Sequence, residues 1–197
     1  MFTYSFCAAG CGRPAYKGSA LCATHSAESE ADTRSLCEYI RQQKTVKDLS
    51  AQGLHFTGMD FSHHHFSGCD FTGASFSDCL FNKTVMRMSF FELSTFSSCD
   101  LSASDMQFLS FAGAVIKDCS FEDSELMNIN FEGTLIYNSI FRGSNLYNSR
   151  FVSASITKSD FSGCNLKRTN FVKSIQENTS FKSSNTAEAI FEVEEYN

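Results

Sequence analysis

From Phe56 to Phe171 a large apolar residue stands at every fifth position, 24 times in succession. That spacing matches neither the 3.6-residue period of a helix nor the two-residue alternation of a strand. A fixed internal period is the signature of a repeat architecture. Two residues before each large one stands a small or modest one, among them Ala74, Cys79, Thr84, Ser89, Ser94, Cys99 and Ser104; His64, Leu109 and Ile129 are bulkier exceptions. Residues two apart in extended chain share a face, so each five-residue unit points one big and one small side chain inward. Gly or Asn is common two residues after the large one, as at Gly58, Gly68, Gly73, Gly113, Asn128 and Asn138. Both tolerate the positive φ of tight turns. A short extended piece and a turn every five residues predict a coil with corners.

Units such as Ala74-Ser75-Phe76, Cys99-Asp100-Leu101, Ser144-Asn145-Leu146, Cys164-Asn165-Leu166 and Thr169-Asn170-Phe171 resemble the pentapeptide-repeat family, whose motif is A(D/N)LXX with Leu or Phe at its centre. The resemblance implies an all-β solenoid, a right-handed quadrilateral parallel β-helix with four units per coil.

A twenty-residue period is also visible in the residues themselves. Phe71, Phe91, Phe111, Phe131, Phe151, Phe171 and Phe191 are twenty apart and all Phe. In a second column Phe66 gives way to Met86, Met106, Leu126, Leu146 and Leu166; in a third, Phe56, Phe76 and Phe96 are followed by Ile116, Ile136 and Ile156. Columns with separate preferences are what a four-sided tube should show. The span from Leu54 to Val193 predicts about seven coils and, at ~4.8 Å per stacked strand, a tube roughly 30 Å long.

Three segments are expected: a zinc-knuckle-like piece at 1–30, a helix and linker capping the solenoid at 31–50, and the β-helix at 51–197. No apolar run approaches the length of a transmembrane helix, and the first residues lack the pattern of a secretory signal. Of nine cysteines, Cys69, Cys79, Cys99, Cys119 and Cys164 fall in the small inward column and read as compact buried thiols. Stacked side chains ~4.8 Å apart hold their Cβ atoms beyond the ~3.8 Å of a disulfide. A reducing, cytoplasmic setting is therefore expected.

Cys7, Cys11, Cys22 and His25 have the spacing C-x3-C-x10-C-x2-H, and three thiolates with one imidazole suit tetrahedral zinc. The stretch resembles the treble-clef knuckles that accompany some HNH-type nucleases, but no nuclease histidine motif follows it. A structural clip is the reading taken, since the first fifty residues carry six Lys or Arg against five Asp or Glu, too little charge for strong phosphate binding. Asp32–Gln43 predicts a short helix capped by Asp32 or Thr33, with Leu36, Tyr39 and Ile40 on one face. Together with Val46 and Leu49 it should seal the open end of the tube. Cys37, on this helix, is a spare candidate ligand for the knuckle. At the far end Gln176 and Thr186 break the large-residue series, as terminal repeats do, and Glu192, Glu194 and Glu195 discourage end-to-end stacking.

His63, His64 and His65 should diverge, with only His64 inward, so they are not expected to share an ion. Leu80, Val85, Met88, Phe90 and Leu93 are outward by the pattern within one coil, with Phe108 one coil above Met88; they are a candidate partner surface or a local bulge that turns inward or lies under the helix. Asp100, Asp105, Glu122, Asp123 and Glu125 gather around one corner as a candidate acidic patch. No catalytic constellation is present, and a packed tube should leave no substrate pocket. Fold does not fix function, so three readings remain. The first is a non-enzymatic scaffold for an unidentified protein. The second is DNA mimicry, since some members of the family inhibit or protect DNA gyrase. The third is nucleic-acid binding through the knuckle. Residues 51–197 hold 17 Asp or Glu against 10 Lys or Arg, spread over four sides, a sparse copy of duplex charge. The scaffold is therefore preferred.

Overall fold

The protein is described from a computed structural model covering residues 5–13, 15, 20–22, 25–26 and 29–192, with helix side chains from Thr33 onward. Pro14, Glu194, Glu195 and the expected cap at Asp32 lie outside the described side chains.

The alternation of one large and one small inward residue folds as its spacing requires. Each winding takes twenty residues and has four sides, and every strand pairing is parallel between residues twenty apart, as in Thr45↔His65, Phe56↔Phe76 and Ile136↔Ile156. Strands centred on Val46, Phe66, Met86, Met106 and Leu126 form a five-stranded sheet, the first side. Opposite it, strands centred on Phe56, Phe76, Phe96, Ile116, Ile136, Ile156 and Gln176 form a seven-stranded sheet, the third side. The second side, through Phe71, Phe91 and Phe111, and the fourth, through Phe61, Phe81 and Leu101, are held by isolated bridges such as Asp70↔Phe90 and Leu80↔Asp100. The result is a parallel β-solenoid of about seven windings.

Rings of like side chains pile up inside. Phe91 lies between Phe71 and Phe111, each 5.0 Å away centroid to centroid and 9° from parallel. Neighbouring sides meet edge to face, as Phe56 and Phe61 do at 78°, the arrangement the ring quadrupole prefers. Inward hydroxyls are buried but satisfied: Ser104, Ser144 and Thr169 donate to the carbonyls of Phe81, Phe121 and Leu146 at 2.8, 2.6 and 2.8 Å. Buried polar groups without such partners would be costly. Every fifth residue from Asp48 to Ser183 has positive φ, so each corner is a left-handed turn.

The N-terminal boundary differs from the expectation. Helix α1 spans Ser29–Gln42, so Asp32 and Thr33 lie within it and not at its cap. The solenoid begins at Thr45, where Thr45–Lys47 already pairs with His65–Ser67, so position 51 falls inside the first winding. Leu36, Cys37 and Ile40 of α1 are buried in one cluster with Val46, Leu49, Phe56 and Met59, sealing the N-terminal end. At the other end Phe181 and Phe191 still stack on Phe161 and Phe171, while Thr186–Glu188 forms a short 3-10 turn. No helix among the described residues is long and apolar enough to cross a membrane.

Candidate functional site

The corner positions decide what the solenoid shows to its surroundings. A left-handed residue is at ease as Gly or Asn and costs about 1 kcal/mol for most other side chains. Along the corner between the first and second sides the sequence runs Gly68, Met88, Phe108, Asn128, Asn148. Met88 and Phe108 hold φ of 50° and 58° and are 56% and 58% exposed. Across the second side, Leu93 breaks a column of Gly73, Gly113 and Gly133. Its φ is 57° and it is 70% exposed. Large apolar residues here combine a backbone cost with a solvation cost.

These residues bound a single side. One winding of the second side presents Met88, Phe90, Glu92 and Leu93; the next presents Phe108, Ser110, Ala112 and Gly113. Leu93 leans over the adjacent winding, its Cδ2 only 2.9 Å from where a Cβ on Gly113 would stand. Phe90 is half-buried between the two rims. Of the other apolar candidates, Leu80 is exposed on the fourth side and Val85 is half-buried on the first, so the six do not form one patch. None turns inward, and α1 packs at the mouth of the tube against the strand centred on Phe56. Val115 and Leu135, stacked on the third side, and Tyr137 beside Leu135 are also exposed. Sequence reasoning passed over them, although the same outward positions extended beyond one coil would have found them.

The five acidic residues do gather around the corner between the fourth and first sides, but two are paired. Arg87 binds Asp105, and Arg142 lies 3.5 Å from Glu122. Glu125 accepts from Asn145 Nδ2 at 2.7 Å, and Asp100 accepts from the Ser102 N–H at 2.9 Å. Asp123 lies over Gly143. His63 and His65 are exposed, while the half-buried His64 sets its Nδ1 3.1 Å from the Phe61 carbonyl, so the three diverge.

At the N-terminus the donor atoms of Cys7, Cys11, Cys22 and His25 all lie within 4.8 Å of one another. Gly10 and Gly12, at φ of 72° and 74°, turn the chain between Cys7 and Arg13, where Cys7 N–H bonds the Arg13 carbonyl. The His25 N–H bonds the Cys22 carbonyl at 2.9 Å and closes the second pair. Cys7 Sγ is 3.5 Å from His25 Nδ1, Cys22 Sγ is 3.6 Å from it, and Cys11 Sγ is 3.7 Å from Cys22 Sγ. A tetrahedron with Zn–S of ~2.3 Å and Zn–N of ~2.0–2.1 Å has edges of about 3.5–3.8 Å, so the donor set fits a metal ion of that size. A backbone N–H at Cys22 holds the Cys7 thiol down to about 6, and the Cys7 and Cys22 sulfurs raise His25. Cys37 is not part of this cluster; it is buried in the solenoid core, where desolvation raises its thiol.

All nine cysteines are free thiols. Burial pushes Cys69 up to about 11 and Cys164 up to about 12. The tube interior is packed, yet a cleft of about 470 Å³ lies outside it, between α1 and the first winding, walled by Arg34, Arg41 and His55 above Phe56 and Met59. Thr33, Cys37 and Glu38 also line it, and His55 Nδ1 lies 2.6 Å from Ser75 Oγ.

Family models describe the chain as a pentapeptide repeat region over residues 114–191 and as pentapeptide repeats over 52–87 and 94–133. No curated protein sequence matches it. Among solved structures, a trypsin-treated variant of QnrB1, a plasmid-mediated fluoroquinolone resistance protein, is 18% identical with a TM-score of 0.62, covering 71% of this chain and 73% of its own. A second trypsin-treated QnrB1 variant is 17% identical, TM-score 0.53, over 71% and 74%. HetL, involved in heterocyst differentiation regulation in the cyanobacterium Nostoc sp. Strain PCC 7120, is 12% identical, TM-score 0.38, over 81% and 96%.

Proposed function

Because the chain belongs to the pentapeptide-repeat family, we propose that it is a non-enzymatic scaffold that docks another protein on the second side of its solenoid. The observation that carries this reading is the placement of Met88, Leu93 and Phe108 at left-handed corners where they are exposed. The other left-handed corners hold Gly, Asn or another small or polar residue, as Gly68, Gly73, Asn128, Lys83 and Ala103 do; large apolar side chains stand at these three. The knuckle is read as a zinc-held clip that orders the segment before α1. The buried free thiols suit a reducing, cytoplasmic compartment.

DNA mimicry is the weaker reading. Likeness to the fluoroquinolone-resistance protein is a likeness of fold, and the acidic corner loses part of its field to Arg87 and Arg142. A gyrase supercoiling assay should show neither inhibition nor protection at micromolar protein.

The docking reading is tested with a photoreactive residue at Ala112 on the second side and another at Thr157 on the third. A discrete protein adduct is expected in cells from position 112 alone, and it should vanish when Met88→Asn and Phe108→Asn are added. Equal capture from both sides, or none from position 112, would overturn it.

A further inference from the structure

The charge on the second side is one-signed over most of its length. Through residues 48–53, 68–73, 88–93, 108–113 and 128–133 it carries Asp48, Asp70, Glu92 and Glu132 and no Lys, Arg or His. The first base on this side is Arg150, which pairs with Glu132 at 3.1 Å. Asp48, Asp70 and Glu92 have no cationic partner among the described residues. Glu132 is offset by Arg150, and the buried Asp70 accepts from Gln52 and the Thr72 N–H, so the exposed Asp48 and the half-buried Glu92 are the carboxylates this side presents beside the apolar rims.

Backbone geometry restricts how a partner is held. Windings of this side bond to one another, as in Phe71 N–H to Phe90 carbonyl at 2.8 Å and Phe91 N–H to Ser110 carbonyl at 2.7 Å. No strand edge is open here for an added strand, so recognition falls to side chains. Met88 and Phe108 form one rim, Leu93 the other, and Phe90, Ser110 and Ala112 lie between them. Exposed apolar side chains thus border a strip, or trough, along this side.

We propose that the trough takes an amphipathic helix of a partner protein, laid along the solenoid axis, with its apolar face between the rims and Lys or Arg flanking it. The proposal rests on the docking reading above and adds the partner's chemistry. From Asp70 to Glu132 is three winding steps, roughly 14 Å, which a helix of about ten residues spans. Nucleic acid and anionic lipid would be repelled by the same carboxylates. A second copy of this chain is a poor occupant: α1, from Ser29 to Gln42, holds Glu30, Asp32 and Glu38 against Arg34 and Arg41, a net negative helix.

The probe is a synthetic amphipathic helix of about fourteen residues, made with its flanking positions as Lys, Gln or Glu and titrated against the full chain by fluorescence anisotropy. The Lys peptide is expected to bind at least tenfold tighter than the other two and to weaken as salt rises. Glu92→Lys should erase that preference, and Met88→Asn with Phe108→Asn should lower affinity at least tenfold while the circular dichroism spectrum is unchanged. If the Gln or Glu peptide binds as well and still depends on Met88 and Phe108, the charge assignment is wrong and the docking reading stands. If no peptide binds at millimolar concentration, or binding ignores the Asn substitutions, the trough is not a helix site. Dimerisation of the chain that Phe108→Asn abolishes would also overturn the proposal, because the occupant would be a second copy.

Discussion

At the scale of single residues, the positions that build the core differ from those that mark a partner. Phe91 is fully buried between two parallel rings, and nothing in a stacked tube can collapse into the space it fills. Phe91→Ala should cost about 3–5 kcal/mol, read as a fall in the denaturation midpoint; a loss under about 1 kcal/mol would contradict the stacking. The thiols offer a second check. Cys37, Cys69, Cys79, Cys99, Cys119 and Cys164 are buried, and burial holds Cys69 and Cys164 in the unreactive thiol form. A thiol reagent at pH 8 should leave these six unmodified until denaturant is added. Core columns were legible from sequence because the period is rigid and each column keeps its own preference. The left-handed corners were only half legible. Gly and Asn announced them, but Met88, Leu93 and Phe108 at the same phase carry no local sign of positive φ.

At the scale of elements, the knuckle, the helix and the solenoid are held by different physics. On the proposed reading the knuckle is held by a metal on its four donors, so removing zinc should unfold that segment and spare the tube. With a strong chelator, limited proteolysis should cut before Ser29 while the solenoid's thermal transition stays within a degree or two. Cys22→Ala should mimic the chelator, and native mass spectrometry should find one zinc per wild-type chain and none in the variant. Cooperative loss of the solenoid with the metal would refute the clip. That Cys7, Cys11, Cys22 and His25 come together was readable from their spacing in the sequence. The start of the solenoid was not, because Val46, Leu49 and Ala51 occupy first-winding positions that later windings fill with Phe, Cys and Phe. Helix α1 began three residues early for a related reason: Ser29 opens it, and Glu30 and Asp32 in its first turn suit the helix dipole.

At the scale of the whole molecule, the twenty-residue winding turns sequence distance into surface position. Arg87 meets Asp105, and Arg142 reaches both Glu122 and, at 3.2 Å, Asp160. These partners are far apart in the chain and adjacent on the tube, which is why the acidic corner looked stronger in sequence than it is in the fold. Exposed pairs of this kind contribute little to stability, about 1 kcal/mol at most, but they shape the field each side presents. The second side is left with exposed apolar corners and no Lys, Arg or His through its first five windings. The measurement that bears most directly on this account is the denaturation midpoint of Met88→Asn combined with Phe108→Asn. Both corners accept Asn in other windings, so relief of the backbone cost should stabilise the double variant by about 1 kcal/mol or more. A clear loss of stability would show that Met88 and Phe108 serve the fold itself, and the case for a docking side would fall with it.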